Sequence, residues 1–372
     1  MKTRIVTSLT VLFLAGVFII SACNKDSDPD LFPNSKIEIV LNEIPFTTDD
    51  NVRIGYTLKT WEYENDGLQL QKIIVLNADN NEELIQFKVD DFRRIYKDPI
   101  PPTSLFEWNK LDSYYISIQL PIPLDVNIPS KISHKMLFQD TINNTEVSIY
   151  GGDFIPRIDE SPMIIASPIK GERLVFMNVS VCNYHFDALM FIEGKIYSPE
   201  RFAFDNTQLD PTFSDSFVGD PTLNESYSIY RDTLYAVADG IVEKIADGRV
   251  ENSGNLSDAP LPTADDYGGN YLILKIASDR YAYYCHIVPS SFLVAVGDNI
   301  NEGDPIALLG NSGNSTEPHL HFHVSDSPDL WRAKGVSIVL KNYTRIGNYY
   351  LGMLEPKVYE NAMTENFDIV EF

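Results

Sequence analysis

Short runs rich in Ile, Val, Leu and Tyr, broken by clusters of Asp, Asn and Gly, recur along the chain from residue 36 to residue 324. In the N-terminal part these runs are 36–41, 52–58, 70–76, 84–89, 114–120 and 146–150. Val52, Ile54, Tyr56 and Leu58 alternate with polar or small residues, as a half-buried strand requires. Clusters such as Glu64-Asn65-Asp66-Gly67 supply the turns between them. Six strands at this spacing predict an immunoglobulin-like β-sandwich over residues 36–155. It holds no catalytic constellation, and its one histidine, His134, is expected at the surface or in a turn.

A second domain is expected over residues 160–355, and it too is mostly β. Asp239-Gly240 suits a hairpin turn between runs 234–238 and 241–245. Further strands are expected over 271–276, 280–286, 305–309 and 319–324. Glycine-bearing turns separate them, and no run of helical period and length intervenes. Two polar stretches, 206–232 and 247–268, are too long for plain turns and are either disordered or walls of a groove. Residues 356–372 are expected as a C-terminal tail. A chain of 372 residues, 44% of them hydrophobic, can supply two cores. Its formal net charge of −24 makes nucleic acid a poor partner.

The N-terminus reads as a targeting segment. Lys2 and Arg4 precede an apolar run over 5–20, which is shorter than the roughly 20 residues a membrane span needs. The run ends in Ile20-Ser21-Ala22-Cys23, which resembles a bacterial lipobox. A signal peptide over 1–22 and lipid on Cys23 are therefore expected, followed by an acidic tether over 23–35. That tether resembles the surface-export tag of Bacteroidetes lipoproteins. The expected location is the bacterial cell envelope, at the outer membrane, facing periplasm or cell surface. Cys182 and Cys285 are left as a pair that could bridge or stay as buried thiols.

Chemistry concentrates in the second domain, which holds five of the six histidines, three of them in His319-Leu320-His321-Phe322-His323. In a strand, side chains two apart share a face about 6.5–7 Å apart. The three imidazoles then project together, and Leu320 and Phe322 enter the core. Such a face suits a metal site with a proton-handling neighbour, or simply a histidine-rich exposed strand. Arg201-Phe202-Ala203-Phe204-Asp205 reads as another strand, with Arg201, Ala203 and Asp205 on one face. Asp205 could hold a metal or cap a turn. Asp187, Asp210 and Asp215 compete with it from less strand-like surroundings. Cys182-x-x-His185 has ligand spacing, but no second pair completes a structural zinc site.

The segment from Gly310 to Phe322, Gly-Asn-Ser-Gly-Asn-Ser-Thr-Glu-Pro-His-Leu-His-Phe, closely resembles the signature of the lysostaphin/LytM zinc endopeptidases. Tyr235 to Val242, Tyr281 to His286 and Val296 to Gly303 resemble that family's hairpin, its strand ending in a catalytic histidine, and its next turn. The resemblance covers roughly residues 160–325. It implies an antiparallel β-sheet peptidase domain, Zn2+ as cofactor and peptidoglycan peptides as substrate. One departure is plain, since no His-x-x-x-Asp precedes the hairpin. The sequence fits instead a subgroup with Arg-Phe-Ala-x-Asp and a histidine well upstream. Carried over residue by residue, the metal ligands are His185, Asp205 and His321. His286 and His319 are the catalytic pair for proton transfer and oxyanion stabilisation, and His323 is a neighbour. Two His and one Asp leave one position of a tetrahedral zinc open. Two other readings stand beside this one: a non-catalytic relative that binds wall peptide or activates a hydrolase, and an adhesin-like module worked by the sandwich.

Overall fold

The computed structural model describes residue 32 and residues 35–91, 113–179 and 184–372. The expected signal peptide, Cys23 and Cys182 lie outside these residues.

Alternation in the N-terminal runs becomes two antiparallel sheets. In one, the long strand Asn51–Trp61 is central. It pairs along its whole length with Ser113–Pro123. Ile37–Asn42 and the short Phe46–Thr47 share its other edge. The second sheet runs Glu82–Lys88, Leu68–Asn77, Ile132–Asp140, Thr145–Phe154. Ile54, Tyr56, Leu58, Ile73, Val75, Ile116 and Phe138 meet in the core between the sheets. The strand Ile132–Asp140 was not among the expected runs, and it corrects the placement of His134. That histidine is buried and sits in the middle of the sheet. Its Nδ1 lies 3.1 Å from the Gly152 carbonyl oxygen, and its Nε2 lies 2.9 Å from the Tyr56 hydroxyl. A carbonyl only accepts, so Nδ1 carries the proton and Nε2 accepts from Tyr56.

The C-terminal part is built on an eleven-stranded sheet among the described residues. Its middle holds Asn270–Ala277, Arg280–Ile287, Leu320–Ser325, Phe204–Gln208 and Leu174–Met177, side by side and antiparallel. Leu272, Leu274, Ala282, Tyr284, Leu320, Phe322, Val324 and Phe204 bury one face of it. The opposite face carries the histidines. The expected tail is part of this sheet. Gly352–Ala362 pairs with Ile338–Asn348, and Asp368–Glu371 pairs with both Ile338–Asn348 and Leu174–Met177. Burial of Ile369 and Val370 fixes that last strand. The polar stretches are ordered too: Phe217 bridges Tyr227, and Ala264–Gly268 forms a 3-10 turn with a capping box at Thr263.

The two parts share a seam. Phe46, from the sandwich, packs in the core of the large sheet, its ring 5.7 Å from that of Phe202. Tyr343 donates to Asp49 at 2.8 Å, Arg345 pairs with the same carboxylate, and Arg53 meets Glu365 at 2.6 Å.

Candidate metal centre and active site

Sheet register sets two of the expected ligands against each other. Asp205 is the direct antiparallel partner of His321, and Cys285 is its partner on the other side. Directly opposed residues share a face at close range, so the carboxylate and imidazole meet, with His321 Nδ1 3.0 Å from Asp205 Oδ1. His185 arrives from a turn outside the sheet, its Nε2 3.5 Å from Asp205 Oδ2. One donor atom from each of His185, Asp205 and His321 lies within 4.8 Å of the others, and all three residues are buried.

Donors about 2.0–2.2 Å from one tetrahedral ion sit roughly 3.3–3.6 Å apart. The two measured separations bracket that range. The donor chemistry fits as well. Burial opposes the charge of Asp205, but His185, His321 and His319 outweigh it and hold the carboxyl well below the usual range. Burial keeps His185 neutral, with its pKa below the ordinary imidazole value. His321 is the exception: burial opposes its charge, yet Asp205 and Glu200 carry its pKa above the ordinary value. A metal entering the site displaces that proton. Asn178, in a left-handed backbone conformation, donates to Asp205 Oδ2 at 2.8 Å. No sequence signal singled out Asn178.

His286 and His319 line the wall beside these donors, their rings 4.7 Å apart. His286 Nδ1 donates to the Ser312 carbonyl at 2.7 Å, and His319 Nδ1 donates to the Glu317 carbonyl at 2.8 Å. Each therefore presents Nε2 to the site, that of His319 lying 3.7 Å from Asp205 Oδ1. His286 has φ +64° where the pairing register shifts between 270 and 272, a bulge that aims the ring. The glycine-rich turn fits under it. A Cβ on Gly313 would lie 2.3 Å from Gly269 N, so the turn closes only with glycine. His323, expected as a neighbour, contacts His321 Nε2 through Nδ1 at 3.1 Å and stacks on Tyr283.

Asp210 caps its own turn through Thr212 and Ser214, so it takes no part in the cluster. Cys285 is buried, and burial pushes its thiol up. The pairing with Cys182 lies outside the described residues. The expected strand 201–205 starts only at Phe204. Arg201 and Phe202 are in a turn, and Arg201 points away from Asp205 towards the sandwich.

The donors form the floor of a cleft of about 600 Å3. Tyr184, Tyr267, Trp331, Met190 and Leu330 form its apolar walls, and Glu200 is its further carboxylate. Tyr267 belongs to the polar stretch expected as either groove wall or disorder. Residues 230–334 match the model of Peptidase family M23.

The chain carries a Peptidase M23 domain. The matched stretch contains His286, His319 and His321, and it excludes His185 and Asp205. An uncharacterized metalloprotease of Haemophilus influenzae is 33% identical over 108 residues, 28% of this chain and 19% of that protein. The peptidoglycan DD-endopeptidase ShyB of Vibrio cholerae is 41% identical over 58 residues, 16% of this chain and 13% of its own length. The chain thus spans under a fifth of either relative. The catalytic domain of lysostaphin from Staphylococcus simulans is 21% identical, with 39% of this chain and 80% of that one covered, at a TM-score of 0.23.

Proposed function

We propose that the chain is a zinc-dependent endopeptidase that cuts peptide bonds in peptidoglycan stem or cross-link peptides, held to the bacterial envelope by lipid on Cys23. The convergence of His185, Asp205 and His321 on the cleft floor, with two oriented histidines beside them, carries this reading. A zinc ion held by those three residues supplies Lewis acidity to a scissile carbonyl and lowers the pKa of water. The residues of the chain supply the rest. With Nδ1 committed to backbone carbonyls, Nε2 of His286 and of His319 can take a proton from the attacking water. The same nitrogen can return it to the departing amine. In its protonated form either imidazole donates to the developing oxyanion.

The cleft walls support cleavage within a chain. Among the described residues lining it there is no Lys or Arg, and Glu200 adds a negative charge. A free α-carboxylate beside the scissile bond would find no cationic partner, which a carboxypeptidase provides. The named activity of the Vibrio cholerae relative supports peptidoglycan as the source of the peptide.

The test is incubation of zinc-loaded protein with purified peptidoglycan, followed by product masses. Linear muropeptides should accumulate from cross-linked ones. If zinc binds and the wall is bound but uncut, the non-catalytic reading replaces this one.

A further inference from the structure

The three donors differ in what holds them. Asp205 and His321 are fixed by the sheet ladder, whereas His185 lies in a turn outside it. The segment after His185 rests on the N-terminal sandwich. Phe186 is buried, and a Cβ on Gly55 of the sandwich would lie 3.1 Å from its ring, so the two surfaces meet without spare room. Leu189 and Phe191 pack with Leu41 and Tyr115 of the sandwich, and the Tyr115 and Phe191 rings are 4.8 Å apart.

Arg201 joins these pieces. It is 1% exposed. Its Nη1 donates to the Phe186 carbonyl at 2.8 Å and to Ser117 Oγ of the sandwich at 2.9 Å. Its Nε lies 3.4 Å from Glu43 Oε1, again of the sandwich. The guanidinium carbon sits 3.7 Å from the centre of the Phe186 ring. One side chain thus ties the residue after His185, the turn leading to Asp205, and two sandwich residues. A guanidinium has the planar fork and stacking face this needs, which an ammonium lacks.

We infer that Arg201 is a positioning residue through which the N-terminal sandwich becomes part of the metal site, seating His185 against Asp205 and His321. The inference rests on the metal-site reading above. It gives the sandwich a task in the peptidase itself: it holds the one ligand that the sheet does not. Partners that support oriented metal ligands typically change metal affinity 10–100-fold when removed. Arg201 acts one residue away, through the backbone of Phe186.

The test measures the zinc dissociation constant of the full chain by competition with a chromophoric chelator. The variants are Arg201→Ala, Arg201→Lys and Ser117→Ala, with far-UV circular dichroism and thermal midpoints alongside. Arg201→Ala should bind zinc roughly 10-fold or more weakly. Arg201→Lys should recover part of the loss, and low-millimolar guanidinium should restore Arg201→Ala without changing the wild type. Ser117→Ala, which keeps the charge in place and lies wholly in the sandwich, should weaken zinc by a smaller factor while staying folded. Wild-type affinity in folded Arg201→Ala overturns the inference. Should that variant not fold, wild-type affinity in Ser117→Ala overturns it equally. A wild-type chain that binds no zinc sinks the metal-site reading, and this inference with it, which separates the two failures.

Discussion

At the scale of single residues, the two histidines of the His-x-His strand have different partners and so different tasks. His321 turns Nδ1 to Asp205, and His319 turns Nδ1 away from the site, to the Glu317 carbonyl. Two residues two apart on a strand cannot easily both reach one tetrahedral ion. His321→Ala is therefore expected to lose both bound zinc and activity. His319→Ala and His286→Ala should keep zinc near the wild-type content and lose cleavage by roughly 10²-fold or more. Metal analysis of the three purified variants, beside a peptidoglycan assay, checks this. Loss of zinc from His319→Ala with retention in His321→Ala would reverse the roles. The difference between the two histidines is legible in the sequence only through family resemblance, because alternation puts both on one face and says nothing of ring rotation.

At the scale of elements, alternation reads well where a strand is half-buried and poorly where the chain leaves the sheet. Leu320 and Phe322 enter the core as their spacing implies. Arg201 to Ala203 have the same alternating look, yet they form a turn, because Arg201 finds its partners in the other domain. No local pattern contains that information. His134 fails for a related reason. In sequence it is a lone polar residue, but the neighbouring strands bring Tyr56 and Gly152 to its two nitrogens. Burial lowers its pKa from 6.5 to about 4. Between those values the unfolded chain binds a proton that the native sandwich excludes, so stability falls as pH drops through that window. The loss is complete below about pH 4 and on the order of 3 kcal/mol. Urea unfolding across pH 7 to 4 should show a steeper decline for wild type than for His134→Phe, which has no imidazole to titrate. The variant should start less stable, because Tyr56 and the Gly152 carbonyl lose their partner. Parallel declines would mean that another group sets the acid sensitivity.

At the scale of the whole molecule, the seam makes the sandwich and the M23 domain one body, tied at one end by Arg201 and at the other by Asp49 with Tyr343 and Arg345. What attaches this body to a membrane is then a separate question. Among the described residues no helix is long and apolar enough to cross one. The formal net charge of −24 opposes adsorption to anionic lipid headgroups. The apolar run over 5–20 is short for a span of roughly 20 residues, and it leads directly into Ser21-Ala22-Cys23. Lipid on Cys23 is the attachment that these facts support. Burial of acyl chains contributes about 0.8 kcal/mol per CH2, so a multiply acylated cysteine outweighs the repulsion of the acidic body. Cys23→Ala should therefore move the chain from the membrane fraction to the soluble fraction, or leave it unprocessed at its original length. Fractionation with immunodetection and intact mass reads both outcomes. A Cys23→Ala chain that is shortened by processing and still partitions with membranes like wild type would place the attachment elsewhere in the chain.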